Sequence, residues 1–331
     1  MIAKRFAILL LAAAPFLNSV RAQVGLSATG AQDSVTAKAL PFTDQLRKTV
    51  AFLRVGFLKN GRVWESSGTG FFVFYPDERL GKDRGFTYLV TNRHMATPGA
   101  EEGQAYAVQY FYVRLNVEKK QPGAEGPESV EIPFTYPGDP WVRPVDPSVD
   151  LAVLLVNLEP LSVDYRSIPV SAIATKEMIE AQQITVGDQV LFAGYFYQFP
   201  GEKRIEPIVR QGVLAMIPDE QISTTLQKPG NVYLADIHAF HGNSGSPLFV
   251  GGIRVGGSTF SQFRLLGVVS GYYPESETNF SIPAARVLTG EVRDNSGITA
   301  VVPGYELRSL LDTPALKQSR DTIVQNFLRK K

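Results

Sequence analysis

Short runs of β-branched and aromatic residues, each closed by a turn signal, recur along most of this 331-residue chain and leave few folds open to it. Residues 50–57 form the first run. Lys59-Asn60-Gly61-Arg62 then reads as an Asn-Gly hairpin turn feeding a second strand. Gly68-Thr69-Gly70 leads into Phe71-Phe72-Val73-Phe74-Tyr75, where the glycines point to close backbone approach or a bend. The same logic predicts strands over 86–91, 106–117, 130–135, 151–156, 189–195, 208–215, 232–237, 247–250, 263–272 and 279–283. A helix-like patch covers 176–182, and residues 161–169 read as the crossing between two halves. From Gly304 the spacing turns helical, through Leu307, Leu310, Leu311, Ile323, Phe327 and Leu328, and the basic end Arg329-Lys330-Lys331 complements a helix C-terminus. Many short strands with one terminal helical patch predict an all-β domain of barrels or sandwiches.

Composition removes several classes of function. A chain that is 44% hydrophobic and 20% charged is an ordinary globular one. With 33 basic residues set against 32 acidic ones, nothing calls for nucleic acid as a partner. The absence of cysteine rules out disulfides, thiolate chemistry and cysteine-based zinc sites, and no cofactor or metal is expected. At the N-terminus Lys4 and Arg5 precede an apolar run over 6–17 and then Val20-Arg21-Ala22. That pattern reads as a secretory signal peptide over 1–22, because a dozen apolar residues fall short of the roughly 20 needed to span a bilayer. The expected mature protein is extracytoplasmic, periplasmic or secreted, with no stable membrane insertion after cleavage and a flexible lead-in over 23–41.

One loop carries the chemistry: Phe240-His241-Gly242-Asn243-Ser244-Gly245-Ser246-Pro247-Leu248. A hydroxyl residue among glycines and before proline is also what a plain surface turn looks like. The sharper reading makes Ser244 a nucleophile whose own N–H, with that of Gly242, points into a concavity for a developing oxyanion. Such a hydroxyl needs a base and an acid that orients the base. The chain has three histidines, His94, His238 and His241. His94 ends the strand at 86–91, and Asp150 abuts the apolar run Leu151-Ala152-Val153-Leu154, whereas Asp146 reads as a Pro-flanked loop residue. His94, Asp150 and Ser244 then follow the order His, Asp, Ser of chymotrypsin-type barrels, not the orders of α/β-hydrolases or subtilisins.

Five segments together resemble a trypsin-like (chymotrypsin-clan) serine protease, of the cysteine-free bacterial branch near HtrA-type and glutamyl endopeptidase domains. They are Gly68-Thr69-Gly70-Phe71-Phe72-Val73, Val90-Thr91-Asn92-Arg93-His94, Asp150-Leu151-Ala152-Val153-Leu154, Gly242-Asn243-Ser244-Gly245-Ser246-Pro247 and Leu266-Gly267-Val268-Val269-Ser270-Gly271. The resemblance implies two antiparallel β-barrels, about 42–160 and 161–300, within a protease domain over 42–300, followed by a C-terminal helical segment over 301–331. It implies His94 as general base, Asp150 as its orienter, Ser244 as nucleophile, and Gly242 and Ser244 as oxyanion-hole donors. Ser270 would hydrogen-bond the acid, and Ser270-Gly271-Tyr272 would pair with substrate backbone. Asn243 stands where digestive members carry the aspartate that zymogen cleavage engages, so no such activation is expected. His238 takes the pocket-floor position, which argues against a trypsin-like preference for basic residues; His238 or His241 could favour an acidic side chain, and Tyr272 could narrow the pocket. About thirty residues after position 300 are too few for the PDZ domain usual in HtrA-type enzymes, and a terminal helix packed on the second barrel is expected there. The function implied is an exported endopeptidase acting on protein or peptide substrates. The alternative is a catalytically silent protease-fold protein that binds peptides or a protein partner. The oligomeric state is open.

Overall fold

A computed structural model describes residues 18–19, 41–118, 128–134, 139–181, 183–254, 257–259, 262–276 and 293–329. Nearly all of the segments read as signal peptide and lead-in, the strand predicted at 279–283, Thr135, Gln182 and the last two lysines lie outside the described residues.

The first half builds an eight-stranded sheet from β1 (Asn18–Ser19), β2 (Val50–Lys59), β3 (Arg62–Pro76), β4 (Arg84–Thr91), β5 (Ala107–Asn116), β6 (Ser129–Pro133), β7 (Ala152–Val156) and β8 (Ser167–Pro169). Its main path runs β1-β4-β3-β2-β5-β6, with β7 beside β4 and β8 beside β3. All pairings are antiparallel except β3 with β8, where Val73 faces Ile168. The segment read as a crossing therefore still adds a strand to the first sheet. The hairpin between β2 and β3 turns at Asn60 and Gly61, both at positive φ (53° and 73°), as the predicted turn requires.

In the second half β9 (Gln189–Gly194), β10 (Ile208–Met216), β13 (Tyr233–Asp236), β14 (Pro247–Val250), β15 (Arg264–Ser276) and β16 (Arg293–Pro303) close a six-stranded barrel. The short pair β11 (Ile222–Ser223) and β12 (Pro229–Gly230) stands apart from it. The helices are α1 (Phe42–Arg47), α2 (Arg93–Ala96), α3 (Lys176–Glu180), α4 (Gly304–Leu311) and α5 (Pro314–Leu328).

The unbroken apolar runs have a structural cause. Along β3, Phe72 packs into the interior of the first sheet with Leu53, Leu89 and Val113, while Phe71 and Val73 face the opposite way. Because successive side chains point to opposite faces, a strand covered on both faces must be apolar at every position. The second face belongs to a core shared by both halves, in which Phe71, Tyr88 and Leu151 meet Leu191, Phe249 and Leu265. The barrel has its own core of Val190, Phe192, Leu214, Leu248 and Val301. Each such large side chain, fully buried, contributes about 1.5–3 kcal/mol, so the seam between the halves is as firmly packed as either interior.

The C-terminus departs from expectation. Instead of one helix on the second barrel, there are two, and only α4 stays there, with Gly304 close against the Leu265 and Leu266 carbonyls. The second, α5, crosses to the first sheet. Arg320, 4% exposed, donates to the Tyr88 hydroxyl (3.1 Å) and the Leu311 carbonyl (2.9 Å), and its guanidinium lies 4.0 Å from the Tyr75 ring centre. Leu316 and Val324 enter the shared core, and Asp321 pairs with Arg79 (2.8 Å). The helix thus closes over the core that the two halves share. Among the described residues no helix is long and apolar enough to cross a membrane.

Candidate active site

The site forms where the end of β4, the entry to β7 and the loop before β14 meet. His94 was expected at a strand end; it sits instead on the single-turn helix α2 that β4 runs into. Two neighbours fix that turn to the segment before β7. Asn92, fully buried, donates from Nδ2 to the Asp150 carbonyl (2.9 Å), and Arg93 donates from Nε to the Val149 carbonyl (3.1 Å) and from Nη2 to the Asp146 carbonyl (3.0 Å). Asp150 is thereby held under His94.

The Asp150 carboxylate, 1% exposed, is surrounded by donors. It accepts from the His94 backbone N–H on Oδ1 (3.1 Å), and on Oδ2 it meets His94 Nδ1 (2.8 Å) and the Ser270 hydroxyl (2.6 Å). The Thr225 hydroxyl lies 2.5 Å from that of Ser270 and extends the line. Burial alone would raise the Asp150 pKa, but His94 and these hydrogen bonds hold it below the ordinary 3.8. For His94, burial works against the charged ring, yet the charge of Asp150 and the bond to it carry its pKa above the ordinary 6.5. A neutral ring that donates from Nδ1 carries its lone pair on Nε2.

Ser270 reaches Asp150 through an irregularity in β15. The register against β16 slips between Val269 and Gly271, so Ser270 is an extra residue on its strand. Such bulges re-aim side chains, frequently beside active sites. Its carbonyl accepts the Ser244 hydroxyl (3.2 Å). No hydrogen bond joins Ser244 to His94 among the described residues.

The Ser244 loop has the backbone that its glycines permit. Gly242 and Gly245 have φ of +95° and +86°; a Cβ at 242 would lie 2.3 Å from Tyr195 Cδ1, and one at 245 only 1.9 Å from the Thr69 carbonyl oxygen. Neither position accepts another residue without rearrangement. The buried Asn243 side chain accepts from the Phe240 N–H (2.8 Å) and donates to the Tyr195 carbonyl (2.7 Å). The Asn243 N–H is spent on the Phe240 carbonyl (2.9 Å), whereas the N–H groups of Gly242 and Ser244 have no hydrogen-bond partner among the described residues. These two backbone N–H groups are thus available as donors to an anion.

With this geometry in view, residues 68–256, which hold His94, Asp150 and Ser244, match the model of the trypsin-like peptidase domain. The chain belongs to that family. Among curated proteins no sequence matches it. Among solved structures it is similar to the HtrA-type protease AlgW with a tripeptide, at 16% identity and a TM-score of 0.46, covering 84% of this chain and 63% of that one. It is also similar to Deg5, at 20% identity and a TM-score of 0.38, covering 67% of this chain and 85% of that one. The chain thus spans less than two thirds of the AlgW chain.

Within this trypsin-like domain the residues singled out in the sequence fall into separate groups. His94, Asp150 and Ser270 are joined directly, and Ser244 joins them through the Ser270 carbonyl. Asp146 is exposed and turned away, its carboxylate taken by the Ser148 N–H (2.8 Å) and hydroxyl (2.7 Å). His241 is exposed, edge-on to Tyr272 at 6.5 Å. His238 is exposed too, stacked on Phe240 at 6.4 Å and beside Gly297. Gly271 lies under Thr225, whose Cγ2 would be 3.2 Å from a Cβ there. Sequence reasoning missed Thr69, Tyr195 and Thr225. Thr69 sits inside the Gly-Thr-Gly segment already noted, which was the one available signal.

Proposed function

We propose that this protein is an exported serine endopeptidase that hydrolyses peptide bonds with Ser244 as nucleophile, His94 as general base and Asp150 as its orienter. The observation that carries the reading is the unbroken line Ser270–Asp150–His94 ending beside a loop whose Gly242 and Ser244 N–H groups are free. Asp150 fixes the ring so that Nε2 faces the chemistry as a base, and its charge stabilises the imidazolium that forms when Ser244 gives up its proton. Ser244 then attacks the substrate carbonyl, and the resulting oxyanion is held by the two free N–H groups. His94 returns the proton to the leaving amine, and water repeats the sequence to release the acyl group.

The hydroxyl of Ser244 rests on the Ser270 carbonyl. In the family resemblance that carbonyl belongs to the strand that pairs with substrate. A substrate N–H arriving there displaces the hydroxyl and frees it for His94, so substrate binding completes the triad; long catalytic hydrogen bonds before substrate binds are common. Export rests on the Lys4-Arg5 and apolar 6–17 pattern. Side-chain preference has one structural restraint: His238 and His241 both stand exposed, against aromatic rings.

Labelling by a fluorophosphonate probe tests the reading. The wild type should label and Ser244→Ala should not. Equal labelling of both, or none of either, favours the silent peptide-binding alternative.

A further inference from the structure

The nucleophile loop belongs to the second half of the molecule, yet the group that holds its backbone comes from the first. Thr69, fully buried on β3, makes three hydrogen bonds across the seam. Its N–H donates to the Ser244 carbonyl (2.8 Å). Its hydroxyl donates to the Gly242 carbonyl (2.7 Å) and accepts from the Tyr195 N–H (2.9 Å). Its own carbonyl accepts from the Thr91 hydroxyl (2.8 Å), which fixes Thr69 to β4 in turn.

The chemistry of a hydroxyl suits this position. Its one proton is spent on Gly242 and one of its two lone pairs takes the Tyr195 N–H, so it can donate and accept here at once. The Gly242 and Ser244 carbonyls are both drawn to β3 by the same residue. Turning either one toward the concavity would break a buried hydrogen bond and leave its partner unsatisfied. Tyr195 closes the other side: its ring lies against Gly242, its carbonyl takes the Asn243 amide, and Phe52 of β2 braces the ring edge-on at 4.7 Å.

We propose that Thr69 is a positioning residue for the oxyanion hole: its hydroxyl on the Gly242 carbonyl, with the Phe240 carbonyl on the Asn243 N–H, pins both edges of the Gly242–Asn243 peptide plane, so that Gly242 keeps the positive φ that presents its N–H beside that of Ser244. The proposal deepens the endopeptidase reading and rests on it for its catalytic consequence. Its structural part stands separately. Because the clamp crosses from one half to the other, the hole exists only while the two halves keep their packing.

Thr69→Val, Thr69→Ala and Thr69→Ser form the test, each read by crystal structure and by kinetics. Valine keeps the shape and removes the hydroxyl; alanine removes it with room for a water, should valine fail to fold. In both, the Gly242 carbonyl should leave its place, while serine should keep it within about 0.5 Å. With active enzyme counted by fluorophosphonate titration, kcat should fall about thirtyfold to a hundredfold in Thr69→Val with KM changed less than about twofold, and Thr69→Ser should recover most of it. Affinity for a peptide boronate, whose oxygen occupies the hole, should fall by the same factor, while affinity for the product peptide stays level. An unmoved Gly242 carbonyl in the valine or alanine variant overturns the clamp. A displaced carbonyl with unchanged boronate affinity overturns its role in the hole. A wild type without Ser244-dependent labelling defeats the endopeptidase reading, and the carbonyl position still decides the clamp.

Discussion

On the first half's side of the site, His94 and Asp150 are held by charge; on the second half's side, the Ser244 loop is held by neutral hydrogen bonds. Asp150 is buried among three donors and stays ionised because His94 and Ser270 favour the carboxylate. The loop contains no ionised group in its framework: Asn243, Thr69 and Tyr195 fix it through amide, hydroxyl and backbone alone. The difference teaches where pH acts. Proton uptake acts on His94 and Asp150, while the hydrogen bonds that frame the Ser244 loop carry no titrating partner.

The largest effect expected from breaking this division is on the charged side. Asp150→Asn removes the charge that orients and supports the imidazolium, and kcat should fall about 10⁴-fold. A loss under tenfold in peptide hydrolysis would remove Asp150 from the acid role. Stability follows the same group. Its pKa is lower in the folded chain than the ordinary 3.8, so its contribution is present above that value and is lost as pH falls through the folded pKa.

Asn243→Asp carries charge into the neutral side. An aspartate could still accept the Phe240 N–H, but its other oxygen would face the Tyr195 carbonyl with no proton to donate. A buried, half-satisfied carboxylate has a raised pKa, so the sign is the reverse of Asp150. The variant should lose about 2–4 kcal/mol at neutral pH and regain part of it on mild acidification, as protonation restores a donor. Thermal unfolding at pH 7 and pH 5 checks this; a variant that only loses stability on acidification would break the contrast. The smallest effect is expected at Asp146, whose carboxylate closes its own turn with Ser148. Asp146→Asn should keep hydrolysis within about twofold of wild type, and a larger loss would move the acid role outward.

Much of this division was legible in the residues. Short β-branched and aromatic runs and the Asn60-Gly61 turn announced the strands, and the order His94, Asp150, Ser244 with its flanking glycines singled out the candidate site. Asn243 was read as a sign against zymogen activation, and its amide accepts one hydrogen bond from, and donates one to, neutral backbone groups. What stayed hidden needs three dimensions. The bond from Ser270 to the acid was implied by the resemblance, but the bulge in β15 that delivers it was not. Thr69 reads as a strand residue between glycines, and its reach across the seam depends on how the halves pack. The path of α5 onto Tyr75 and Tyr88 followed from a shared apolar seam that no local pattern reports.

The central claim is that Asp150 tunes His94 as the base for Ser244, and the most direct measurement is the pH dependence of fluorophosphonate labelling at Ser244. His94 must be neutral to accept the proton, and its pKa lies above the ordinary 6.5. The labelling rate should therefore rise with pH along a single limb whose midpoint lies above 6.5, with the label on Ser244. A midpoint at or below 6.5, a rate indifferent to pH, or a label elsewhere would contradict it.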